Sequence, residues 1–238
     1  MTNIEELQRN SFAAKVSRQC PVIITNRLYI RPALYRDADA LTEILKDPEV
    51  SGKIAIFRQP YRHEDSVNLC RLSEENSDGN KGWFMSIFLR SSNQQIGYIL
   101  LPLDAVGRCG FLMEPDSAST ENHAHPKSGE IGYWLGKNYW GQGYASEALD
   151  ALLSVAFDYL SLDYVRASTA TYNVASKNVL LRHGFVQDSE IFMRATVMGE
   201  YRPSNNFKIT AEQWRQRNFH RAKRPVEQNH AKASPHLA

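Results

Sequence analysis

The sequence has little of what secreted, metal-dependent or membrane-embedded proteins rely on. Its 238 residues include three cysteines, Cys20, Cys70 and Cys109, which are far apart and form no Cys-x-x-Cys pair. Such a set argues against a disulfide framework or a metal cluster and favours a reducing compartment. No apolar run approaches the ~20 residues that span a bilayer, and residues 1–18 are too polar for a signal peptide. We therefore expect a cytoplasmic protein without a membrane segment or a metal.

The composition is that of a globular protein with a basic end. Apolar residues make up 42% of the chain and charged residues 23%, enough to fill one core. The net charge of +2 is uneven, because residues 215–238 hold six Lys or Arg and one Glu. We predict an N-terminal arm over residues 1–25, one domain over 26–214 and a disordered basic tail over 215–238. Because such ends are usually solvated, we expect at most a weak tail contact with nucleic acid.

Hydrophobic periodicity alternates between strand and helix along the domain. The predicted strands cover residues 28–31, 83–89, 95–101, 131–135, 163–170 and 207–210, and the second and third form a hairpin. Asp37 is expected to cap one helix, and Asn173 begins another that ends at Gly184. Residues 104–128 have no period and are predicted to form a long loop. This order of elements indicates an α/β or α+β fold with a mixed sheet.

The most informative segment joins the strand at 131–135 to a long amphipathic helix through a glycine turn. Gly141 and Gly143 stand where the strand gives way to the helix, so the backbone there can bend tightly and approach a ligand. The first N–H groups of the helix have no partners within it, and the helix dipole is positive at that end. Strand, turn and helix N-terminus together predict a site for a phosphorylated ligand.

Two common nucleotide motifs fit this segment poorly. The sequence contains no GxxxxGK[ST] string, which excludes a Walker A loop. A dinucleotide fingerprint needs a third Gly or Ala where Ser146 stands. It also needs an acidic residue at the end of the next strand, whereas Asp163 would open that strand.

A third interpretation is supported by three motifs in the right order. Trp140-Gly141-Gln142-Gly143-Tyr144-Ala145, preceded by Glu130-Ile131-Gly132-Tyr133-Trp134-Leu135, resembles the acyl-CoA motif of the GCN5-related N-acetyltransferases (GNAT). The run from Asn173 to Phe185 looks like the N-x-x-S…GF motif of the branch that acetylates ribosomal-protein N-termini (RimJ/RimL-like), and residues 26–31 resemble that branch's opening strand. The resemblance covers residues 26–214. It implies a twisted, mostly antiparallel sheet with a splayed pair of strands and helices on both faces.

The resemblance also implies a site for acetyl-CoA as co-substrate. Main-chain N–H groups of the glycine turn would hold the pyrophosphate, and the strand at 131–135 would offer its edge to the pantetheine amides and polarise the thioester. Asn173 would bond the pantetheine arm, Ser176 would donate a proton near the sulfur, and Glu130 matches the general base of part of the superfamily. The expected cofactor-binding residues are Ile131, Tyr133, Trp134, Leu135, Trp140, Gly141, Gln142, Gly143, Tyr144, Ala145, Ser146, Asn173 and Asn178.

The implied activity is transfer of an acetyl group to a primary amine by direct attack on the thioester, without an acyl-enzyme. A protein N-terminus, possibly ribosomal, is the favoured acceptor. A small amine (an antibiotic, polyamine or amino acid) stays open, because acceptor specificity lies in variable loops. A non-catalytic acyl-CoA-binding or scaffold protein is the alternative from another class. Without the resemblance, Glu130 has a second interpretation as a solvated charge at the start of a strand. Asn173 and Ser176 would then be the N-cap and first turn of an ordinary helix.

Overall fold

A twisted sheet runs through the whole domain and divides it into two cores. The computed structural model describes residues 22–76, 79, 82–104, 127–187, 191–195 and 199–222. The described residues contain ten strands. They are β1 (Ile23–Ile24), β2 (Leu28–Pro32), β3 (Gly82–Leu89), β4 (Gln95–Asp104), β5 (Ser128–Glu130), β6 (Gly132–Leu135), β7 (Tyr164–Ala170), β8 (Val186–Gln187), β9 (Phe192–Ala195) and β10 (Tyr201–Thr210).

The strand order is β1-β2-β3-β4-β5-β7-β10-β8, with β6 paired to β4 and β9 paired to β10. Every pairing is antiparallel except that of β5 with β7, which is parallel. This agrees with the expected mixed, mostly antiparallel sheet.

Helices lie on both faces of the sheet, as expected. The described helices are α1 (Ala38–Leu45), α2 (Pro48–Ser51), α3 (His63–Glu75), α4 (Tyr144–Ser154), α5 (Val174–Arg182) and α6 (Ala211–Ala222), and a π-helical turn over Val155–Tyr159 extends α4. In the described part of the chain, no helix is long and apolar enough to cross a membrane.

Each face of the sheet has its own core. The first core packs α4 against the sheet through Ala148, Leu149 and Leu152, all at 0% exposure. The second core packs α1 and α3 against the opposite face, around Leu41 and Leu69. Alternate residues of a strand therefore belong to different cores, and this alternation fixes which side chains reach which side of the site.

A buried ion pair anchors β2 to the start of α1. The Arg31 guanidinium contacts the Asp37 carboxylate twice, with Nη1–Oδ2 at 2.6 Å and Nη2–Oδ1 at 2.7 Å. The same carboxylate accepts the N–H of Leu34 at 2.8 Å. Asp37 stands at the flanking position of α1 as expected, but its side chain caps the preceding turn over Tyr35–Asp37 rather than α1 itself.

The predicted arm and tail both contribute structure, which corrects their boundaries. Ile23–Ile24 pairs with β2, so the sheet begins inside the expected arm. Helix α6 continues to Ala222, so residues 215–222 are helical rather than disordered. It is held by Trp214, which is 2% exposed and stacks on Phe157 with ring centroids 5.8 Å apart. Residues 1–21 and 223–238, and residues 105–126 of the predicted loop, lie outside the described residues.

The predicted strand at 131–135 is interrupted at its first residue. Strands β5 and β6 both pair with β4 in one continuous register, from Leu103↔Gly129 to Leu100↔Gly132. On the other side, β5 pairs with β7, and the N–H of Ile131 bonds the carbonyl of Arg166 at 2.8 Å. Beyond this bond β6 and β7 are no longer paired with each other: β6 stays on β4, and β7 stays on β10, with which it pairs along its whole length. We call the space between β6 and the second half of β7 the strand gap.

Breaking the buried ion pair should cost far more than breaking an exposed one. We expect Asp37→Asn to lower the free energy of unfolding by about 3 kcal/mol, because it leaves the Arg31 charge buried without its counter-charge. Urea unfolding followed by tryptophan fluorescence measures the change. Glu43→Gln is the control, because Glu43 pairs with Lys46 at 72% side-chain exposure and should cost less than about 1 kcal/mol. Equal losses in the two variants would contradict the role of burial.

Candidate active site

The glycine turn has the backbone shape that its sequence predicts. Gly141 has φ +72° and Gly143 has φ +81°, both in the left-handed region that favours glycine. A Cβ on Gly141 would meet nothing within 4 Å, so this glycine is required by its dihedral angle and not by crowding. The turn follows a short 3-10 turn over Lys137–Tyr139 and leads directly into α4.

The N–H groups of this turn are available to a ligand. In the described part of the chain, no main-chain bond outside the helices and strands is donated by the N–H groups of residues 141–145, and no side chain caps the start of α4. A helix of eleven residues adds its positive dipole end at the same place. Free donors beside open space are what a pyrophosphate group needs.

The pairing of β6 shows which of its main-chain groups face the strand gap. The N–H of Gly136 bonds the carbonyl of Ile96 at 2.9 Å. By the alternation of an antiparallel pair, Trp134 also directs its main-chain groups towards β4. The main-chain groups of Tyr133 and Leu135 therefore point the other way, into the gap. One of them is already used, because the indole Nε1–H of Trp140 donates to the Leu135 carbonyl at 2.8 Å.

A pair of hydroxyl groups crosses the strand gap. The Tyr133 hydroxyl lies 3.2 Å from Ser176 Oγ, so β6 is linked to the first turn of α5. Burial raises the pKa of Tyr133 to about 12 despite the opposing effect of the Ser176 hydrogen bond. The phenol therefore stays protonated at neutral pH and can donate. The two residues are 43 positions apart, and no periodicity could have paired them.

The two predicted asparagines differ in position. Asn173 caps α5, and its side chain accepts the N–H of Ser176 at 3.3 Å. The Asn173 side-chain oxygen therefore acts as an ordinary N-cap. A contact between Asn173 and the cofactor stays a prediction. Asn178 is exposed on α5.

Glu130 lies on the opposite face of the sheet from Tyr133. Ile131 and Tyr133 both pack on the first core, so the alternation of the continuous strand turns Glu130 towards the face that carries α1 and α3. Its Oε1 accepts a hydrogen bond from the Ser168 hydroxyl of β7 at 3.1 Å. The two expected catalytic groups, Glu130 and Ser176, therefore lie on opposite faces of the sheet at the strand gap.

Two of the expected cofactor contacts are used within the protein. The Ile131 side chain is 3% exposed in the first core, and its N–H is taken by Arg166. The Trp134 ring is 6% exposed in the second core and stacks on Tyr98 with centroids 4.9 Å apart. The side chains of both residues therefore lie in the cores, and the main-chain groups of Trp134 face β4. A contact of Ile131 or Trp134 with the cofactor stays a prediction.

The remaining expected contacts surround the turn. Tyr144 carries the guanidinium of Arg27 over its ring, with Arg27 Cζ 4.4 Å from the ring centroid. The Gln142 side chain donates to the Asn138 carbonyl at 2.8 Å. Ala145 packs on the first core, and the Ser146 carbonyl faces Nε2 of His183 at 3.1 Å. Within the described ranges, no group of three His, Cys, Asp or Glu residues forms a metal site.

Comparison with known proteins decides the family. A family model described as the acetyltransferase (GNAT) domain matches residues 27–186, most of the chain. The chain belongs to the GNAT acetyltransferases. The uncharacterised N-acetyltransferase p20 of Bacillus licheniformis is 29% identical over 175 residues, covering 71% of this chain and 86% of that protein. The FsC-acetyl coenzyme A-N(2)-transacetylase of Aspergillus fumigatus is 24% identical over 200 residues, covering 82% of this chain and 78% of that one. The chain is an N-acetyltransferase.

Solved structures show the same GNAT fold. The ribosomal-protein-S5-alanine acetyltransferase of Vibrio fischeri aligns with a TM-score of 0.62 at 14% identity, over 82% of this chain and 99% of its own. The RimJ protein of Mycobacterium smegmatis, solved with CoA-disulfide, aligns with a TM-score of 0.61 at 20% identity, over 78% of this chain and 83% of its own. At these identities the likeness shows the fold of the domain.

A buried histidine ties the two site helices of this GNAT domain together. His183 ends α5, as its position near Gly184 predicts, but its ring is buried against α4. Nδ1 faces the Val179 carbonyl at 2.7 Å, and Nε2 faces the Ser146 carbonyl at 3.1 Å and Asp150 Oδ1 at 3.4 Å. Burial lowers the pKa of His183 despite the opposing effects of the carbonyls and Asp150, with Arg217 lowering it further.

This histidine should make stability depend on pH. The unfolded chain takes up a proton near the ordinary pKa of 6.5, whereas the folded ring resists it. Stability is then full above that value and falls as the pH drops below it. We expect His183→Gln to flatten this part of the profile, measured by urea unfolding between pH 5 and pH 7.5. Asp and Glu residues contribute equally in both proteins, so identical slopes for wild type and variant would contradict the assignment.

Proposed function

We propose that this protein transfers an acetyl group from acetyl-CoA to the α-amino group of a protein N-terminus. The observation that carries the proposal is the strand gap itself. Free N–H donors lie at its turn, an unpaired strand edge forms one side, a hydroxyl pair spans it and a carboxylate lies on the opposite face. Acetyl transfer from a thioester to an amine needs these parts and few others.

The donor is held by main-chain groups in this proposal. The N–H groups of residues 141–145 bind the pyrophosphate, and the main-chain groups of Tyr133 bond the pantetheine arm as an added strand would. Trp140 satisfies the Leu135 carbonyl, which leaves Tyr133 as the accepting position on this edge. The complex of RimJ with CoA-disulfide supports the class of ligand.

The two faces of the sheet divide the proton chemistry. Glu130 accepts a proton from the acceptor ammonium, and the neutral nitrogen then attacks the thioester carbon. As the carbon–sulfur bond breaks, Ser176 donates a hydrogen bond to the departing sulfur, with Tyr133 donating to Ser176 behind it. A thiol with a pKa near 8.5 is a stronger acid than either hydroxyl. Ser176 therefore stabilises a thiolate. The nitrogen loses its second proton to solvent as the amide forms, and below that pKa the thiolate takes one proton from solvent, so the protons balance.

The acceptor is proposed from the structural neighbours. The neighbour from Vibrio fischeri is named for acetylating an alanine of a ribosomal protein, and the sequence motif around Asn173 resembles that branch. The relative from Aspergillus fumigatus favours a second candidate, because its name places the acetyl group on an N(2) atom. A small amine is therefore the rival acceptor.

Glu130→Gln should remove the base while leaving the donor site intact. We expect kcat at pH 7 to fall about 100-fold, in the range typical of a lost general base, with rate rising towards high pH as free amine accumulates. Affinity for CoA, measured by calorimetry, should not change. Glu212→Gln is the control, because Glu212 is on the outer side of α6 and contacts Gln216. Wild-type kcat across the pH range in Glu130→Gln would refute the assignment.

The acceptor class is tested by acetyl-CoA consumption with four sets of amines. These are peptides with ribosomal-protein N-termini, aminoglycosides, polyamines and amino acids. We expect turnover with peptides whose α-amino group is free and none with the same peptides blocked at the N-terminus. Turnover with small amines alone would replace the proposed acceptor. Binding of CoA without turnover on any amine would favour a non-catalytic protein.

A further inference from the structure

Arg27 is placed against the glycine turn by three contacts that the proposed reaction does not use. Its Nη1 donates to the Gln142 carbonyl at 2.8 Å. Its Nε contacts Glu147 Oε2 at 2.7 Å, and its guanidinium lies over the Tyr144 ring. Its Nη2 lies 3.3 Å from where a Cβ on Gly143 would stand. The Arg27 side chain thus lies along one side of the glycine turn, which we call its outer side. The opposite side is the inner side.

The contact with Gln142 has a direct consequence for the next peptide group. In a trans peptide the carbonyl of one residue and the N–H of the next point in opposite directions. A guanidinium that holds the Gln142 carbonyl on the outer side therefore turns the Gly143 N–H to the inner side. A glycine pair with positive φ has wide conformational freedom, so this peptide needs an external group to fix it.

Glu147 and the turn before β2 hold Arg27 in place. Glu147 accepts from the Thr25 hydroxyl at 2.6 Å and from the main-chain N–H of Arg27 at 2.8 Å. Partial burial raises the pKa of Glu147, but the hydrogen bonds from Thr25 and Arg27 outweigh it, and the net shift is downward. Glu147 therefore stays ionised. The Arg27 side chain is 46% exposed, and an exposed ion pair alone contributes little stability. The contact with the turn is the part of the arrangement that needs a functional explanation.

We propose that Arg27 is a positioning residue for the donor site, holding the Gln142–Gly143 peptide so that its N–H faces the pyrophosphate of coenzyme A. The proposal rests on the proposed function, because it assigns a role within the same site. Arg27 acts through the backbone and touches neither the thioester nor the acceptor. Its loss should weaken binding of the pyrophosphate and leave the chemical step alone.

The test compares Arg27→Met with Arg90→Met. Arg90 donates to the carbonyls of Thr25 at 2.7 Å and Asn26 at 3.1 Å, so it supports the same turn before β2 without reaching the glycine turn. Affinities are measured by calorimetry for CoA and dephospho-CoA, and by inhibition of turnover for pantetheine, which lacks the pyrophosphate. Steady-state kinetics with acetyl-CoA separate KM from kcat.

Arg27→Met should weaken CoA and dephospho-CoA equally, by about tenfold, the size expected for one hydrogen bond from a charged donor. It should raise KM for acetyl-CoA by a similar factor, with kcat and pantetheine inhibition unchanged. Arg90→Met should bind all three ligands as the wild type does.

Four results would overturn the proposal. Equal weakening of all three ligands, or the same losses in Arg90→Met, would mean a general structural role. Weakening of CoA but not of dephospho-CoA would mean a contact with the 3′-phosphate instead. Unchanged CoA affinity in Arg27→Met would remove Arg27 from the site. If wild-type protein itself fails to bind CoA, the proposed function fails first and the assignment falls with it.

Discussion

The bond between the Ile131 N–H and the Arg166 carbonyl is the point on which the site depends. Up to this bond β5 and β7 are parallel neighbours. Beyond it their pairing ends, while β6 stays paired with β4 and β7 stays paired with β10. A sheet that stayed paired would satisfy every strand edge and leave no room for a ligand. Because the strands separate here, the edge of Tyr133 is unpaired, and the turn and the start of α5 face the same opening. The end of one strand pairing therefore creates both the space and the unpaired edge.

Local signals in the sequence were enough for the elements that border this opening. Positive φ at Gly141 and Gly143, the cap at Asn173 and the end of α5 at Gly184 are all required by neighbouring residues, so a short window of sequence contains the information. The orientation of Trp134 could also have been predicted, because a strict two-residue alternation from Ile131 and Leu135 places it in the other core. The predicted contacts include four of the five residues from Ile131 to Leu135, and among them are side chains that lie in the cores.

The features that could not be predicted from the sequence depend on contacts between residues that are far apart in the chain. The Tyr133–Ser176 pair, the contact of Glu130 with Ser168 and the burial of His183 against α4 each join elements 37 or more positions apart. Helix α6 was missed because its composition is basic and poor in apolar residues. Its stability comes from the burial of one tryptophan and from the contact of Arg217 with Asp150 at 3.0 Å, neither of which forms a periodic pattern. Propensity is a weak guide where tertiary contacts decide.

The opposite placement of Glu130 and Ser176 follows from the same alternation that builds the two cores. A strand that buries Ile131 on one side must present Glu130 on the other, so the proposed base and the proposed sulfur-side hydroxyl lie on opposite faces of the sheet. This separation suits direct transfer, since the amine approaches from one face while the sulfur departs on the other. The packing pattern that stabilises the fold is thus the arrangement that the proposed chemistry requires.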